Sequence, residues 1–391
     1  MSPFRDADWL SPQRAWVWCV ALAGASVLLL LLLVATSQGG MDLLHRPLGG
    51  DFISFWSASR LALDGPPGAA YDIAAHRAAQ WRAFPASEPD YYAFFYPPTF
   101  LLLCLWLGLL PYLVAVSVWL AGSLALLTLS VRRVLPQRWG TLAFLAFPAV
   151  MLNAVHGQNG FLSAACVGGN MVLGTRRPFW AGACLGVLVF KPHLLLAAPV
   201  VLLAARRWRM IAGGVCSGLG LVALSWAVLG PEAWRGFLAG APLARAVLEQ
   251  GLVGHEKMQS AFAAVMLLHG GVTLAYAGQA LVAAAALIAV GLAAARRPGA
   301  EAEGALLATA AMLCSPFLLD YDLVWLALPL AWVIAAAQRT GFLPWERLVL
   351  LLAYSLPLVS REIATYLHVP IAPLIVAALL WVAVRRSMAA M

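Results

Sequence analysis

Long apolar runs separated by arginine clusters constrain this chain more than any other feature. Most of the runs approach the roughly 20 residues that a helix needs to cross a bilayer. Hydrophobic residues make up 63% of the 391 positions and charged residues only 11%, whereas a soluble domain is about 25% charged. The sequence therefore predicts an all-α integral membrane protein, organised as a single polytopic domain over residues 1–391.

Twelve apolar segments are candidate membrane spans. They lie near 16–37, 112–131, 139–155, 161–174, 178–190, 192–205, 210–230, 272–295, 305–318, 323–337, 347–360 and 371–384. The first is longer than the apolar region of about 7–15 residues in a secretory signal peptide, so we expect it to be a retained span.

The arginine clusters predict the orientation of these spans. Cytoplasmic loops carry an excess of Lys and Arg. If both termini are cytoplasmic, that side holds sixteen arginines and five acids. The net charge of +8 is then a topology signal spread over short loops, and this argues against binding of nucleic acid.

Two further apolar stretches are too short to be full spans, and prolines bracket the first of them. The segments 96–112 and 259–271 are predicted to be re-entrant or half-helices. Counting 96–112 as a crossing would place Arg132 and Arg133 outside, against the orientation given by the other clusters.

Two large loops are predicted on the outside. The first, 38–95, contains two surface helices at 52–63 and 72–83, and the second is 231–258. Phe52, Phe55 and Trp56 recur at helical spacing, so we expect the first surface helix to lie on the membrane with its aromatic face down.

Asp51 lies between two glycines and this aromatic helix. Asp is a favoured N-cap residue, so the carboxylate has a structural interpretation as the cap of the helix. The alternative interpretation is a general base at the membrane surface, because an ionisable residue near membrane depth is a functional hypothesis by default.

Lys191 is one of two lysines against twenty-three arginines, and it lies between two short spans with His193 nearby. A lysine ammonium there has the chemistry to bind a phosphate, or it is a side chain that snorkels from a helix end. Both interpretations stay open.

Three other polar segments are predicted on the same face. The loop HGQNG carries His156, Gln158 and Asn159, whose alternative role is plain turn formation. The acids Asp320 and Asp322 have a spacing that can bind a divalent cation, although two carboxylates are a weak signal and helix capping is the alternative. Lys257 and Gln259 precede the second half-helix or belong to an ordinary loop.

Five stretches together resemble glycosyltransferase family 87 of the GT-C class: GGDFISFWSASRLALDGPPGAAYD, FFYPPTFLLL, NAVHGQNGFLSAA, RPFWAGACLGVLVFKPHLLLAAPVVLLAARRW and SPFLLDYDLV. The resemblance runs from about residue 49 to residue 335. It implies a GT-C-type bundle of about 12 transmembrane helices in the bacterial cytoplasmic membrane, with extracytoplasmic surface helices and two half-helices. It also implies an extracytoplasmic active site.

The resemblance further implies a donor, an acceptor and residue roles. The donor is a sugar on polyprenyl phosphate, with mannose expected, and the acceptor is a glycan or glycolipid. Asp51 is the expected general base, and Lys191, His193 and Arg60 bind the donor phosphate. The residues expected to contact sugar or acceptor are Tyr96, His156, Gln158, Asn159, Lys257, Gln259, Asp320 and Asp322. Membrane lipids surround the chain, and no metal or other cofactor is expected to be required.

Two other functions fit the same membrane pattern. A transporter or lipid flippase also combines many spans with half-helices, but it predicts charges in the middle of spans and an internal repeat. A non-catalytic scaffold of an envelope-assembly complex predicts no dependence on Asp51. Neither the span charges nor a repeat supports the carrier here.

Overall fold

The computed structural model describes residues 3–87 and 90–389. Throughout these residues the regular structure is helical, and the β-pairing amounts to three isolated bridges. The prediction of an all-α protein is confirmed.

Nineteen α-helices and seven 3-10 helices are described in those ranges. The α-helices are α1 (Pro3–Asp6), α2 (Pro12–Ala35), α3 (Phe52–Asp64), α4 (Ile73–Ala83), α5 (Pro98–Cys104), α6 (Tyr112–Val134), α7 (Arg138–Leu145), α8 (Pro148–His156), α9 (Gly160–Leu173), α10 (Pro178–Val187), α11 (Ala197–Ala204), α12 (Trp208–Ala239), α13 (Ala241–Glu249), α14 (Ala261–Leu267), α15 (Gly271–Ala294), α16 (Ala300–Cys314), α17 (Ala327–Thr340), α18 (Glu346–Leu367) and α19 (Ala372–Ala389). The 3-10 helices are Pro67–Tyr71, Pro85–Ser87, Leu105–Leu109, Leu188–Phe190, Pro192–Leu195, His255–Lys257 and Asp320–Leu326.

Seven helical stretches of the described residues are long and apolar enough to cross a membrane: Pro12–Ala35, Tyr112–Val134, Trp208–Glu249, Gly271–Ala294, Asp320–Thr340, Glu346–Leu367 and Ala372–Ala389. The pair α7 and α8, bent by 49°, brings the number to eight if it counts as one span. The chain is a multi-pass membrane protein. The count of about twelve is not confirmed, because the four other predicted spans correspond to α9, α10, α11 and α16, none longer than 15 residues.

The core of the bundle is built around α16. All of its residues except Glu301 are buried, and its neighbours are α9, α11, α15, α17 and α19. A helix that is apolar on every side belongs inside a large protein or in a membrane. At the opposite extreme, none of the residues of α2 is buried, so the surface of this helix is available to lipid.

The predicted position of the aromatic surface helix, with its aromatic face on the membrane, is wrong. The helices α3 and α4 form close to the predicted bounds, but Phe52 and Phe55 are buried inside the protein and do not face lipid. Phe55 meets Phe100 at 4.9 Å between ring centroids, and Phe52 meets Tyr112 at 5.6 Å. Periodicity identifies an apolar face but not what covers it, and here α5 and α6 cover it.

Both predicted half-helices are short helices. The first consists of α5 and the 3-10 helix Leu105–Leu109, and it returns to α3, where Trp56 Nε1 donates to Leu110 O at 2.9 Å. The second is α14, which is capped by Ser260. Their depth in a membrane stays a prediction.

The second outer loop is more helical than expected. The helix α12 continues past the predicted span to Ala239, with a break at Gly230, whose φ of 74° lies outside the helical region. Pro231 follows this break and cannot donate an N–H to the preceding turn. Residues 241–249 form α13, so little of 231–258 is irregular.

Arginine ion pairs tie the helices together at the end opposite Asp51. Arg207, before α12, makes two bonds of 2.8 and 2.7 Å to Glu303 of α16. Arg386 of α19 pairs with Glu346 at the start of α18. These pairs connect the ends of four helices: α12 with α16, and α18 with α19.

Candidate active site

The turn before α3 presents the Asp51 carboxylate. Gly49 and Gly50 have φ values of +80° and +36°, a region that residues with a Cβ rarely adopt. Asp51 itself has helical angles, and its side chain makes no capping hydrogen bond. The N-cap interpretation is therefore wrong for this carboxylate, which is free for other contacts.

The HGQNG loop packs directly against that turn. Gly157 ends α8 in the left-handed region, and a Cβ added to it would lie 2.3 Å from Gly49 O. Only glycine permits this approach. The two loops, more than one hundred residues apart in sequence, therefore meet through their backbones and bring Gln158 and His156 beside Asp51.

Gln158 holds one oxygen of Asp51 in place. Its Nε2 donates to Asp51 Oδ2 at 2.9 Å, while its Oε1 accepts from the Tyr96 hydroxyl and from Asn159 N, both at 3.2 Å. Two donors at the oxygen orient the amide so that its N–H faces the carboxylate. Burial raises the pKa of Tyr96, and the charge of Asp322 raises it further, so the hydroxyl stays protonated and donates.

The remainder of the Asp51 carboxylate is accessible. Its side chain is 29% exposed, and His156 Nδ1 lies 3.9 Å from Oδ2. Among the described residues, no hydrogen-bond partner is found for Oδ1. A carboxylate with one oxygen held and the other free can accept a proton from a bound hydroxyl.

Buried asparagines stabilise the loop behind this carboxylate. Asn153 Nδ2 donates to Gln158 O, and Asn153 Oδ1 accepts from Gly160 N. Asn159 is fully buried, and within the described residues neither of its side-chain polar atoms has a hydrogen-bond partner. A buried amide without a partner is costly, and a sugar hydroxyl or water could satisfy it.

Lys191 is buried and paired with Asp322. Its Nζ lies 2.6 Å from Asp322 Oδ1, and the two side chains are 4% and 3% exposed. The ammonium also lies 5.4 Å from the centre of the Tyr321 ring. The lysine therefore does not snorkel, and its charge is already balanced. His193 is adjacent in sequence, and its Nε2 is buried without a partner among the described residues.

Asp320, two residues before Asp322, pairs with a different cation, Arg361. Its Oδ2 lies 3.4 Å from Arg361 of α18, and its side chain is 5% exposed. Because the two acids pair with separate cations, they do not converge as ligands of one ion. The described residues contain no group of three His, Cys, Asp or Glu side chains that could hold a metal; the expected independence from metal stays a prediction.

Lys257 and Gln259 lie beside this acidic segment. Gln259 N donates to Leu318 O at 2.7 Å, and Met258 forms an antiparallel bridge with Leu319. Gln259 is buried, and its side chain donates to Lys257 O. The structure thus brings residues 258 and 259 next to the acidic segment, and the membrane face on which they lie stays a prediction.

Arg60 is the predicted site residue that the structure places elsewhere. It lies two turns along α3 from Asp51 and pairs with Asp64 at 2.9 Å and with Gly108 O at 3.1 Å. These contacts connect α3 to the first half-helix. No contact joins Arg60 to Asp51 or Lys191 among the described residues.

Comparison with protein families gives the class of this site. A sequence model of glycosyltransferase family 87 matches residues 94–316, more than half of the chain. The chain belongs to glycosyltransferase family 87. It is a glycosyltransferase, and this assignment favours the transferase over the transporter and the scaffold. The matched range includes Tyr96, the HGQNG loop and Lys191, whereas Asp51 and Asp320 lie outside it.

Searches among curated proteins and among solved structures each gave no match. Residue roles in this family-87 member therefore depend on the geometry of the site itself.

Sequence reasoning missed Arg361, Tyr321 and Asn153. Arg361 directly follows the predicted apolar span 347–360, and an ionisable residue at such a position is a signal that could have identified it. Tyr321 supports Lys191 and lies 5.8 Å from the His156 ring. Asn153 had no comparable signal, because its role depends on the fold of the turn.

Proposed function

We propose that this family-87 glycosyltransferase transfers mannose from polyprenyl phosphate to a glycan or glycolipid at the outer face of the bacterial cytoplasmic membrane. Asp51 is the general base. The observation that carries the proposal is the Asp51 carboxylate, oriented by Gln158 through Oδ2, open at Oδ1 and 29% exposed.

The reaction is a single displacement. The hydroxyl of the acceptor loses its proton to Asp51, and its oxygen bonds to the anomeric carbon of the donor sugar. The bond from that carbon to the phosphate oxygen breaks, and polyprenyl phosphate leaves with the electron pair. A phosphate is a good leaving group, so a strong general acid is not required.

The other polar groups have positioning roles in this proposal. Tyr96 and Gln158 keep the base oriented, and Asn159 offers unpartnered polar atoms to a sugar hydroxyl. Lys191 was expected to bind the donor phosphate. Because it is paired with Asp322 at 2.6 Å, we assign the pair to holding the Tyr321 segment against the HGQNG loop.

A transfer assay tests the proposal. Membranes from cells that lack the native enzyme would carry wild type or Asp51→Asn at matched levels, with radiolabelled polyprenyl-phosphate-mannose supplied. A positioned base contributes about 10²–10⁴-fold in rate, so we expect at least about a 100-fold loss in the variant.

Asp72→Asn provides a matched control. Asp72 lies in the same outer loop, and its carboxylate caps α4 by accepting from Ala75 N at 2.9 Å. Asn is an equally good cap, so this variant should transfer like wild type. Equal transfer by wild type and Asp51→Asn would remove Asp51 from the mechanism. An absence of transfer by wild type would show that the donor is wrong.

A further inference from the structure

The proposed donor carries an anionic phosphate, and the cation expected to bind it is already neutralised. Lys191 and Asp322 form a pair less than 5% exposed. A phosphate that used this ammonium would have to enter a buried site beside the Asp322 carboxylate, and bringing a second anion into that site is strongly unfavourable. The site therefore needs a different cation for the phosphate.

Arg361 is held near the site but is far from saturated. Its one hydrogen bond to a described residue is the 3.4 Å contact with Asp320, and its side chain is 36% exposed. A guanidinium has five N–H donors in a planar fork. One contact orients Arg361, and most of the fork remains available.

The position of Arg361 in the fold places it among the site segments. The helix α18 packs against α8, against the 3-10 helix Asp320–Leu326 and against the 3-10 helix His255–Lys257. The first of these ends at His156 beside Asp51, and the last carries Lys257, which forms no ion pair with a described residue. His156 Nδ1 lies 3.9 Å from Asp51 Oδ2, and the His156 ring lies 5.8 Å from the ring of Tyr321, next to Asp320.

We propose that Arg361 binds the phosphate of the lipid-linked donor, with Asp320 orienting its guanidinium. The inference rests on the proposed function and replaces Lys191 as the phosphate ligand. The fork of an arginine matches two phosphate oxygens at once. Arg361 lies six residues before the end of α18, about 9 Å along the helix axis, close to where a lipid phosphate would meet the end of a span.

Binding of polyprenyl phosphate without a sugar tests this inference independently of transfer. Purified protein in lipid nanodiscs would be titrated with polyprenyl phosphate, and the rise in unfolding temperature would give the affinity. A charge-assisted hydrogen bond is strong enough that its loss weakens binding by about tenfold or more. We expect this loss in Arg361→Gln and a smaller one in Arg361→Lys, which keeps the charge without the fork.

Arg245→Gln is the matched control. Arg245 lies on α13, and its only acid partner is Glu249, one turn away, at 2.8 Å among the described residues. Its side chain is 71% exposed. This variant should bind polyprenyl phosphate like wild type. Phosphatidylglycerol, titrated in parallel, should stabilise wild type and Arg361→Gln equally.

The outcomes separate this inference from the proposed function. Wild-type affinity in Arg361→Gln, or in Arg361→Lys if the Gln variant does not fold, would overturn the phosphate assignment even if Asp51→Asn abolishes transfer. A loss of phosphatidylglycerol binding equal to that of polyprenyl phosphate would show a general anionic-lipid site and overturn it too. In transfer assays, Arg361→Gln should raise KM for the donor, whereas Asp51→Asn should lower kcat.

Discussion

The ion pairs at opposite ends of the stretch Asp320–Thr340 differ in how completely their hydrogen-bonding groups are satisfied. At the far end, Arg386 donates to Glu346, to Thr340 Oγ1 at 2.7 Å and to Gly341 O at 2.9 Å. Glu346 also accepts from Leu343 N. At the Asp51 end, Lys191 reaches Asp322 through one atom pair, and Arg361 reaches Asp320 through one contact at 3.4 Å.

The difference separates a structural pair from a functional one. The Arg386 guanidinium uses four of its five N–H donors and is 3% exposed, so it joins α17, α18 and α19 and is closed to a ligand. The pairs near Asp51 leave donors and acceptors unused. Buried polar groups are normally all partnered. Among the described residues, the Asp51 end holds unpartnered atoms on Asn159 and His193 beside an accessible carboxylate, and this combination favours it as the end where a ligand binds.

Breaking the Arg386–Glu346 pair should have the largest effect on stability. Arg386→Met leaves the buried Glu346 with only the longer 3.8 Å contact to Arg385 as a counter-charge, and we expect a loss of about 3 kcal/mol, the lower end for a broken buried pair. Thermal unfolding in detergent measures it. The double variant with Glu346→Met removes both charges and should recover most of the loss.

Lys191→Met supplies the comparison for this prediction. We expect reduced transfer per folded protein in this variant, because Asp322 and Tyr321 lose their contacts with the Lys191 ammonium beside the HGQNG loop. The distinction between the two ends is wrong if Arg386→Met is as stable as wild type. It is also wrong if Lys191→Met lowers stability but leaves transfer per folded protein unchanged.

The orientation of Asp51 gives the next largest expected effect. Gln158→Leu removes a hydrogen bond to a charged group, which contributes about 1.5–3 kcal/mol. We expect transfer to fall about tenfold or more, with little change in unfolding temperature. Initial rates at saturating donor measure the change.

Gln137→Leu is the control at the other end of the bundle. Gln137 Nε2 donates to Gln338 Oε1 at 2.8 Å in an exposed pair, and no site residue is involved. This variant should keep wild-type transfer. Equal losses in the two variants would mean that Gln158 acts only through stability.

Much of the Asp51 end could be predicted because its signals are local. The residue type of Gly49, Gly50 and Gly157 by itself indicates turns. Polar residues such as Lys191 are easily recognised in an apolar sequence. The structure brings these segments together as their shared face predicted. The roles of the residues remain proposals.

The partners of these residues could not be predicted because they depend on tertiary contacts. Arg361 meets an acid 41 positions away in sequence, and Lys191 meets one 131 positions away. Hydropathy also reports apolar segments without showing whether lipid or protein surrounds them. This is why α16, buried within the bundle, and α2, exposed along its length, were both expected to be ordinary spans.

The smallest expected effect concerns pH and the buried histidine near the Asp51 end. His76 is buried in the outer loop, where its Nε2 lies 3.0 Å from Ser54 O and its Nδ1 lies 3.2 Å from the Tyr91 hydroxyl. The carbonyl requires a proton on Nε2, so Nδ1 accepts from Tyr91 and the ring is neutral. Burial lowers the pKa of His76 to about 4.

Below a pH of about 6.5, the unfolded chain therefore binds a proton that the folded chain excludes, and stability falls as the pH drops toward 4. Between pH 7 and pH 5.5 the expected loss is about 1 kcal/mol. Thermal unfolding of wild type and His76→Gln at both pH values measures it, since Gln does not titrate and the variant should lose less on acidification. Equal losses would assign the pH response to groups outside this loop.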